Sequence, residues 1–278
     1  MPKIKITTLC ENSSPGFGLV PEHGLSMLLE TGGKKYLFDT GTGAGLTTNA
    51  RLLDVDLATI DAVIFSHGHL DHTGGLEDLL EIRGSLPVYA HPDIFNNYLG
   101  SIMDGNPSYV GPPWTNEYLQ KMNIDFIHTD SPLELEKGIM ITGPIPRITP
   151  YEEQEPQFLR KEGQGFVHDQ IYDDQALVIE SSGGIVVLLG CTHAGLINTL
   201  SYIVDLTGKS KIKAVIGGTH LMNASDNRLA STIKDLRKFD IDKLGPCHCT
   251  GFRATAALHQ AFPQQFIINQ VSSVFEFD

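Results

Sequence analysis

The sequence predicts an α/β (α+β) fold in which helices cover β-sheets, over a single unit spanning residues 1–278. Three observations predict it. The first two thirds of the chain is a series of short β-branched runs punctuated by glycine and joined by short loops. The last third alternates strand and helix: "IKAVIGG", "SDNRLASTIKDLRKF", "IDKLGPCH", "GFRATAALHQAF". No repeat of fixed period and no low-complexity segment interrupts this order.

The elements follow in chain order. "KIKITTL" alternates and reads as an edge strand, and "LSMLLETGGKKYLFDTG" as two strands joined by a tight turn at Gly32 and Gly33. "GLTTNARLLDVDL" reads as a short helix, "IDAVIFSH" as a buried strand, and "GGLEDLLEIR", with leucines at helical spacing, as a helix. "PVYAHPDI" is the next strand, turning helical at "DIFNNYL". Residues 100–118 are rich in Gly, Pro, Asn and aromatics and read as a long loop insertion; the polar stretch 151–170 reads as a second, mobile one. "NIDFIHT", "GIMITGPIPRI", "QALVIES" and "GGIVVLLG" are strands, "AGLINTLSYIVDLTG" a helix, and "QFIINQVSSVFEFD" returns to strand.

Bulk properties narrow the function. A net charge of -13 repels phosphate backbones and argues against nucleic-acid binding, though not against a small anionic substrate. The longest apolar run, "GGIVVLLGC", is too short to span a bilayer, and the lysines near the start are followed by no apolar run. The expectation is a cytoplasmic protein acting on a small molecule, with four reduced cysteines, no membrane or nucleic-acid partner, and an oligomeric state the sequence leaves open.

The chemistry concentrates in "SHGHLDHTGG", where His67, His69, Asp71 and His72 lie within six positions. A helical period scatters these four, and a strand throws His72 to the opposite face from the others. They fit a turn between strand and helix, with Gly68 permitting the bend. Imidazole and carboxylate suit zinc, iron or manganese. Four ligands this close divide naturally between two adjacent ions: His67 and His69 on one, Asp71 and His72 on the other. The same strand-to-helix setting recurs at "VVLLGCTHAGL" (Cys191, His193) and "GPCHCTG" (His248), while His220 ends the strand of "VIGGTHL". Cys191 reads equally as a ligand or a small buried apolar residue. Cys247 and Cys249 read as packing residues, with a structural site shared with His220 as the alternative. His23, His91, His128, His168 and His259 read as surface or packing residues.

"HGHLDH" resembles the HxHxDH signature of the metallo-β-lactamase superfamily, and the resemblance covers most of the chain, from "YLFDTG" through "IDAVIFSHGHLDHTGGL". It implies a four-layer αββα sandwich of two mixed sheets flanked by helices, with metals at one edge between the sheets. It also implies that Asp39 supports the cluster by hydrogen bonding, and that His67, His69, Asp71, His72, His193 and His248 bind one or two divalent ions, zinc first, with iron or manganese as alternatives. Two positions depart from the family pattern. "YDDQALVI" stands where a third-motif histidine is expected, placing Asp173 or Asp174 there, and Cys191 stands where a bridging aspartate is expected. Asp174, Cys191 and His220 are therefore further candidates for ligation or support. "GCTHAG", "VIGGTHL" and "CHCTG" together are similar to a narrower branch, labelled as related to a pterin-handling (methanopterin-pathway) synthase.

A bound zinc lowers the pKa of its water from about 16 to near 7, and the hydroxide attacks a carbonyl or phosphoryl centre. The expectation is a metal-dependent hydrolase of a small ester, thioester, lactone or phosphoester, with Asp71 orienting the nucleophile. Tyr109, Trp114 and Tyr118 are candidates for a substrate-binding wall. The alternatives are a di-iron redox or oxygen-handling enzyme, and a pterin-like small-molecule binder or synthase-related protein.

Overall fold

The computed structural model describes residues 2–96, 98–101, 107–152, 156–163 and 165–278. Parts of both expected insertions, residues 102–106, 153–155 and 164, lie outside the described residues.

Short apolar strands, most of them buried on both faces, build two large sheets. The first runs Val274–Phe277, Ile4–Cys10, Ser26–Thr31, Lys34–Phe38, Ala62–Ile64, Val88–Ala90 and Phe126–His128. The second runs Asp240–Cys247, Lys211–Gly218, Gly184–Leu189, Ala176–Ser181, Ile139–Ile141 and Leu133–Glu136. Both are mixed, because hairpins supply their antiparallel pairs and helical crossovers their parallel ones. In the first sheet Met27, Leu29, Phe38 and Ile64 point one way; in the second Leu177, Ile179, Val186, Leu188 and Ile216 do. Together they form one apolar layer between the sheets. The alternate residues Leu28, Leu37 and Val63 pack under the helices Leu46–Leu52 and Leu76–Arg83. Val178, Val187 and Val215 pack under Leu196–Thr207, Asp226–Leu236 and Gly251–Ala261. Three apolar layers between four layers of structure make the αββα sandwich.

The helix Leu196–Thr207 shows how sequence fixes this packing. Leu196, Ile197, Leu200 and Ile203 fall on one stripe and are buried. Each such side chain stabilises the fold by about 1.5–3 kcal/mol. Gly208, in the left-handed region at φ 66°, ends the helix.

Three expectations are corrected. "KIKITTL" is not an edge strand, because Val274–Phe277 pairs with its outer side. Most of "QFIINQVSSVFEFD" is turn rather than strand, only Val274–Phe277 joining a sheet and Phe266 making a single bridge to Leu244. The insertions are not merely loops: Gly165–His168, Phe158–Glu162, Tyr98–Ser101 and Pro107–Tyr109 form a third, antiparallel sheet. Among the described residues no helix is long and apolar enough to cross a membrane.

Candidate metal centre

Parallel pairing decides where the site sits. Lys34–Phe38 and Ala62–Ile64 run parallel, so Asp39 and the turn beginning at Ser66 leave the first sheet side by side. In the second sheet Gly184–Leu189, Lys211–Gly218 and Asp240–Cys247 are also parallel, with Leu189 level with Gly217 and Gly218 level with Cys247. Their exits carry Cys191 and His193, His220, and His248 and Cys249. The Thr192 hydroxyl donates to the Gly218 carbonyl at 2.7 Å, and Thr219 and Thr250 pair at 2.9 Å, tying the three exits together. Asp39, Thr192, His220 and His248 all hold left-handed backbone, at φ 60°, 65°, 49° and 52°. This conformation is unfavourable for non-glycine residues and persists only where surrounding structure fixes it.

The "HGHLDH" turn runs from the strand into the short helix Leu70–Thr73. "TGG" follows because a Cβ at Gly74 would lie 2.4 Å from the Thr42 carbonyl oxygen, and one at Gly75 the same distance from that of Thr40. Gly190 admits Ser66 in the same way: a Cβ there would lie 2.0 Å from the Ser66 hydroxyl. Gly190→Ala is therefore expected to push Ser66 off its partners and destabilise the fold by about 1–3 kcal/mol, read as a lowered denaturation midpoint. A midpoint equal to that of the parent would contradict this packing.

Hydrogen bonds set the ring orientations. The buried Asp39 carboxylate accepts from the Ser66 amide, the Ser66 hydroxyl and His72 Nδ1, each at 2.7 Å. The Ser66 proton is committed to Asp39, so its oxygen accepts from His67 Nδ1 at 2.9 Å. His248 Nδ1 donates to Asn12 Oδ1 at 2.8 Å, and the His248 amide donates to Glu11 at 2.7 Å. Three imidazoles thus have Nδ1 engaged and Nε2 turned inward, as in metal sites whose ligands are oriented by outer partners.

The inward atoms converge. Three groups have ligand atoms within 4.8 Å of one another: Asp71, His72, Cys191 and His248; His67, Cys191 and His193; and Cys191, His220 and Cys249. His72 Nε2 lies 3.1 Å from Cys191 Sγ, 3.2 Å from His248 Nε2 and 3.7 Å from Asp71 Oδ2. His69 Nδ1 lies 3.0 Å from His67 Nε2, and the His69 and His193 rings are 4.8 Å apart. Tetrahedral zinc with bonds of about 2.0–2.3 Å separates its ligand atoms by roughly 3.3–3.7 Å, close to these spacings. Two imidazole nitrogens facing each other at 3.2 Å need a cation between them, proton or metal. His69 Nε2 and His193 Nε2 are buried with no hydrogen-bond partner. The donor set fits a divalent ion.

Electrostatics agree. Burial pulls the His72 imidazole down, but the Asp39 and Asp71 carboxylates outweigh it and hold it at about 9. Burial pushes the Asp71 carboxyl up, yet His72 and His248 keep it well below the usual range. The two carboxylates therefore demand positive charge between them. Burial brings His69 down to about 4 and His193 well below its ordinary value, so both rings are neutral and able to ligate. Burial pushes the Cys249 thiol up, but Cys191 and the His248 and His220 imidazoles outweigh it and bring it well below the usual thiol range.

Comparison with known proteins decides the family: residues 19–248 match the model of the metallo-beta-lactamase superfamily. The chain belongs to the metallo-β-lactamase superfamily. It is 33% identical, over 95% of its length and 93% of the relative's, to the 7,8-dihydropterin-6-methyl-4-(beta-D-ribofuranosyl)-aminobenzene-5'-phosphate synthase of Methanocaldococcus jannaschii. It superimposes with a TM-score of 0.85, at 28% identity and 98% coverage of both chains, on Tm1679, a metal-dependent hydrolase of the beta-lactamase superfamily. It shares the fold of Zn(2+)-bound PqqB from Methylobacterium extorquens, at TM-score 0.58 and 14% identity.

Within this superfamily fold, His67, His69, Asp71, His72, His193, His248, Cys191 and His220 come together at one place. His193, two residues past Cys191, lies where it can complete the group begun by His67 and His69. Asp174 does not join a ligand group among the described residues; it accepts from the Ala194 amide at 2.7 Å and steadies the His193 turn. Asp173 accepts from the Gly68 amide at 2.6 Å and braces the first turn; burial lifts its pKa to about 7.

Above these ligand groups opens a cavity of about 390 Å³. Among the described residues its walls do not include Tyr109, Trp114 or Tyr118. Trp114 is buried beside Phe65 and donates its indole N–H to the Thr73 carbonyl. Tyr118 packs on the same core, and the Tyr109 hydroxyl donates to the Pro112 carbonyl. The apolar wall comes instead from Val110, Phe158, Leu70 and Met222. Phe158, on the third sheet, stacks on His69 with ring centroids 5.0 Å apart. His23 and Cys249 also line the cavity, His23 Nε2 lying 3.4 Å from Asp71. The sequence reads His23 as a surface or packing residue, and no local motif marks it.

Proposed function

We propose that the chain is a metal-dependent hydrolase of a small ester, thioester, lactone or phosphoester. The observation that carries this reading is the convergence of two ligand groups, one of Asp71, His72, Cys191 and His248 and one of His67, Cys191 and His193, at the floor of one cavity. Divalent ions bound there supply Lewis acidity and water of lowered pKa. Asp71, 19% exposed to the cavity, is placed to orient that water and take its proton. Phe158, Val110, Leu70 and Met222 exclude bulk water and hold an apolar substituent. Among the described lining residues there is no lysine or arginine. This favours an uncharged acyl ester, thioester or lactone over a phosphoester, whose charge falls to the ions alone.

Chelation is expected to abolish turnover of such esters, and added zinc or manganese to restore it, followed with elemental analysis of the same samples. A purified chain that holds no metal and takes none up sinks the proposal. Bound iron with visible absorbance and oxygen or peroxide reactivity supports the oxygen-handling reading instead. A second reading, a pterin-related synthase or binder, is favoured by the 33% identity to the Methanocaldococcus jannaschii synthase. Saturable binding of a dihydropterin, with no hydrolysis across an ester panel, supports that second reading over the first.

A further inference from the structure

The hydrolase reading uses two of the three ligand groups and leaves Cys249 and His220 without a task. We propose that Cys249 and His220, with Cys191 as a shared ligand, form an additional sulfur-rich site for a thiophilic metal ion on the wall of the same cavity. It adds to the positions around His72 and His248 and around His67 and His193, which also reach Cys191.

The geometry was built for the sulfur. Cys249 follows His248 on a one-turn helix, His248–Thr250, which swings its side chain back toward the exits of the neighbouring strands. Its Sγ receives the His220 amide at 3.3 Å and lies 3.4 Å from the Cys191 carbonyl oxygen. A Cβ at Gly218 would stand 2.6 Å from that sulfur, so a glycine is needed there for Cys249 to enter. The left-handed backbone of His220 turns its ring to the same side, with its centroid 4.1 Å from that of His193. The ligand atoms of Cys191, His220 and Cys249 lie within 4.8 Å of one another, and all three residues line the cavity. Cys247 marks the contrast. Its side chain points into the layer between the sheets, and its Sγ receives Asn269 Nδ2 at 3.2 Å.

Two thiolates and one imidazole are a soft donor set. It selects zinc, cobalt(II) or copper(I) over magnesium, calcium or manganese. Ion binding releases the thiol protons to solvent, and the cavity side leaves a coordination position open to a ligand. The site calls for no oxidant or reductant, since the sulfurs give up only protons and keep their oxidation state.

The test is anaerobic cobalt(II) titration of the reduced full chain, read by near-ultraviolet thiolate-to-cobalt absorbance and by equilibrium dialysis. Cys249→Ala is expected to bind about one ion fewer per chain and to lose the share of the absorbance that Cys249 supplies. His220→Ala is expected to weaken the same ion, and Cys247→Ala to match the parent. Full absorbance and an undiminished ion count in Cys249→Ala overturn the proposal while leaving the other two positions, and with them the hydrolase reading, untouched. If Cys249→Ala fails to fold, alkylation of the parent chain decides. Cys249 is expected to be labelled without cobalt and protected at saturation, and equal labelling in both states overturns the site.

Discussion

Asp39→Ala is expected to lower the stability of the protein by about 3–5 kcal/mol and its affinity for divalent ions by about 10–100-fold. Asp39 touches no substrate and belongs to no ligand group. It ends a hairpin strand, fully buried, and its carboxylate answers the Ser66 amide, the Ser66 hydroxyl and His72 Nδ1. Alanine takes this acceptor from all three, leaving the Ser66 hydroxyl only its contact with His67, and each unsatisfied buried donor costs about 1–3 kcal/mol. The left-handed backbone at φ 60° adds about 1–2 kcal/mol once the side chain that anchors it is gone. Ion affinity falls because Ser66 no longer orients His67 and nothing orients His72. Asp39→Asn separates the two effects. Its oxygen can still accept one of the Ser66 bonds, but its amide faces a donor at His72, so stability recovers in part while ion affinity does not. Chemical denaturation and competition with a chromophoric chelator measure both quantities. A loss below about 1 kcal/mol in Asp39→Ala, well under what three donors deprived of this acceptor cost, contradicts the network.

How far the sequence disclosed this site depends on how local each part is. His67, His69, Asp71 and His72 are legible because one turn carries all four. Asp39 and His193 are nearly as plain, each sitting where an apolar strand gives way to a turn. The αββα layering follows from strands such as Ser26–Thr31 and Ala176–Ser181, which are buried on both faces. Cys249 is another matter. Its place beside Cys191 and His220 depends on three parallel strands ending level, a register that no segment contains by itself. His23 lies in a loop held by its neighbour Glu22, which accepts from the Thr42 and Gly45 amides. The aromatics of residues 109–118 mislead for a plain physical reason: a tryptophan closes a core as readily as it walls a cavity, and Trp114 does the former. The strand Phe158–Glu162 reads as mobile because the stretch around it is polar, yet pairing with Tyr98–Ser101 brings Phe158 onto His69.

Asp71→Asn is expected to reduce hydrolytic turnover by about 10²–10⁴-fold with little change in stability. Asparagine has the same shape, and Asp71 is partly exposed, so the substitution leaves no void. What it removes is charge. Asp71 Oδ2 lies 3.2 Å from His248 Nε2, 3.4 Å from His23 Nε2 and 3.7 Å from His72 Nε2, where it is the carboxylate of its ligand group. Its amide replacement is a weaker ligand and a poor proton acceptor, so both the ion held with His72 and His248 and the positioning of the attacking water suffer. The group of His67, Cys191 and His193 does not include Asp71, and an ion there is expected to remain, so metal content falls by about one ion per chain rather than to nothing. That partial loss distinguishes the proposed division of ligands from a single shared ion, whose release would empty the site. Turnover within threefold of the parent on the best ester substrate, at unchanged metal content, removes Asp71 from the mechanism.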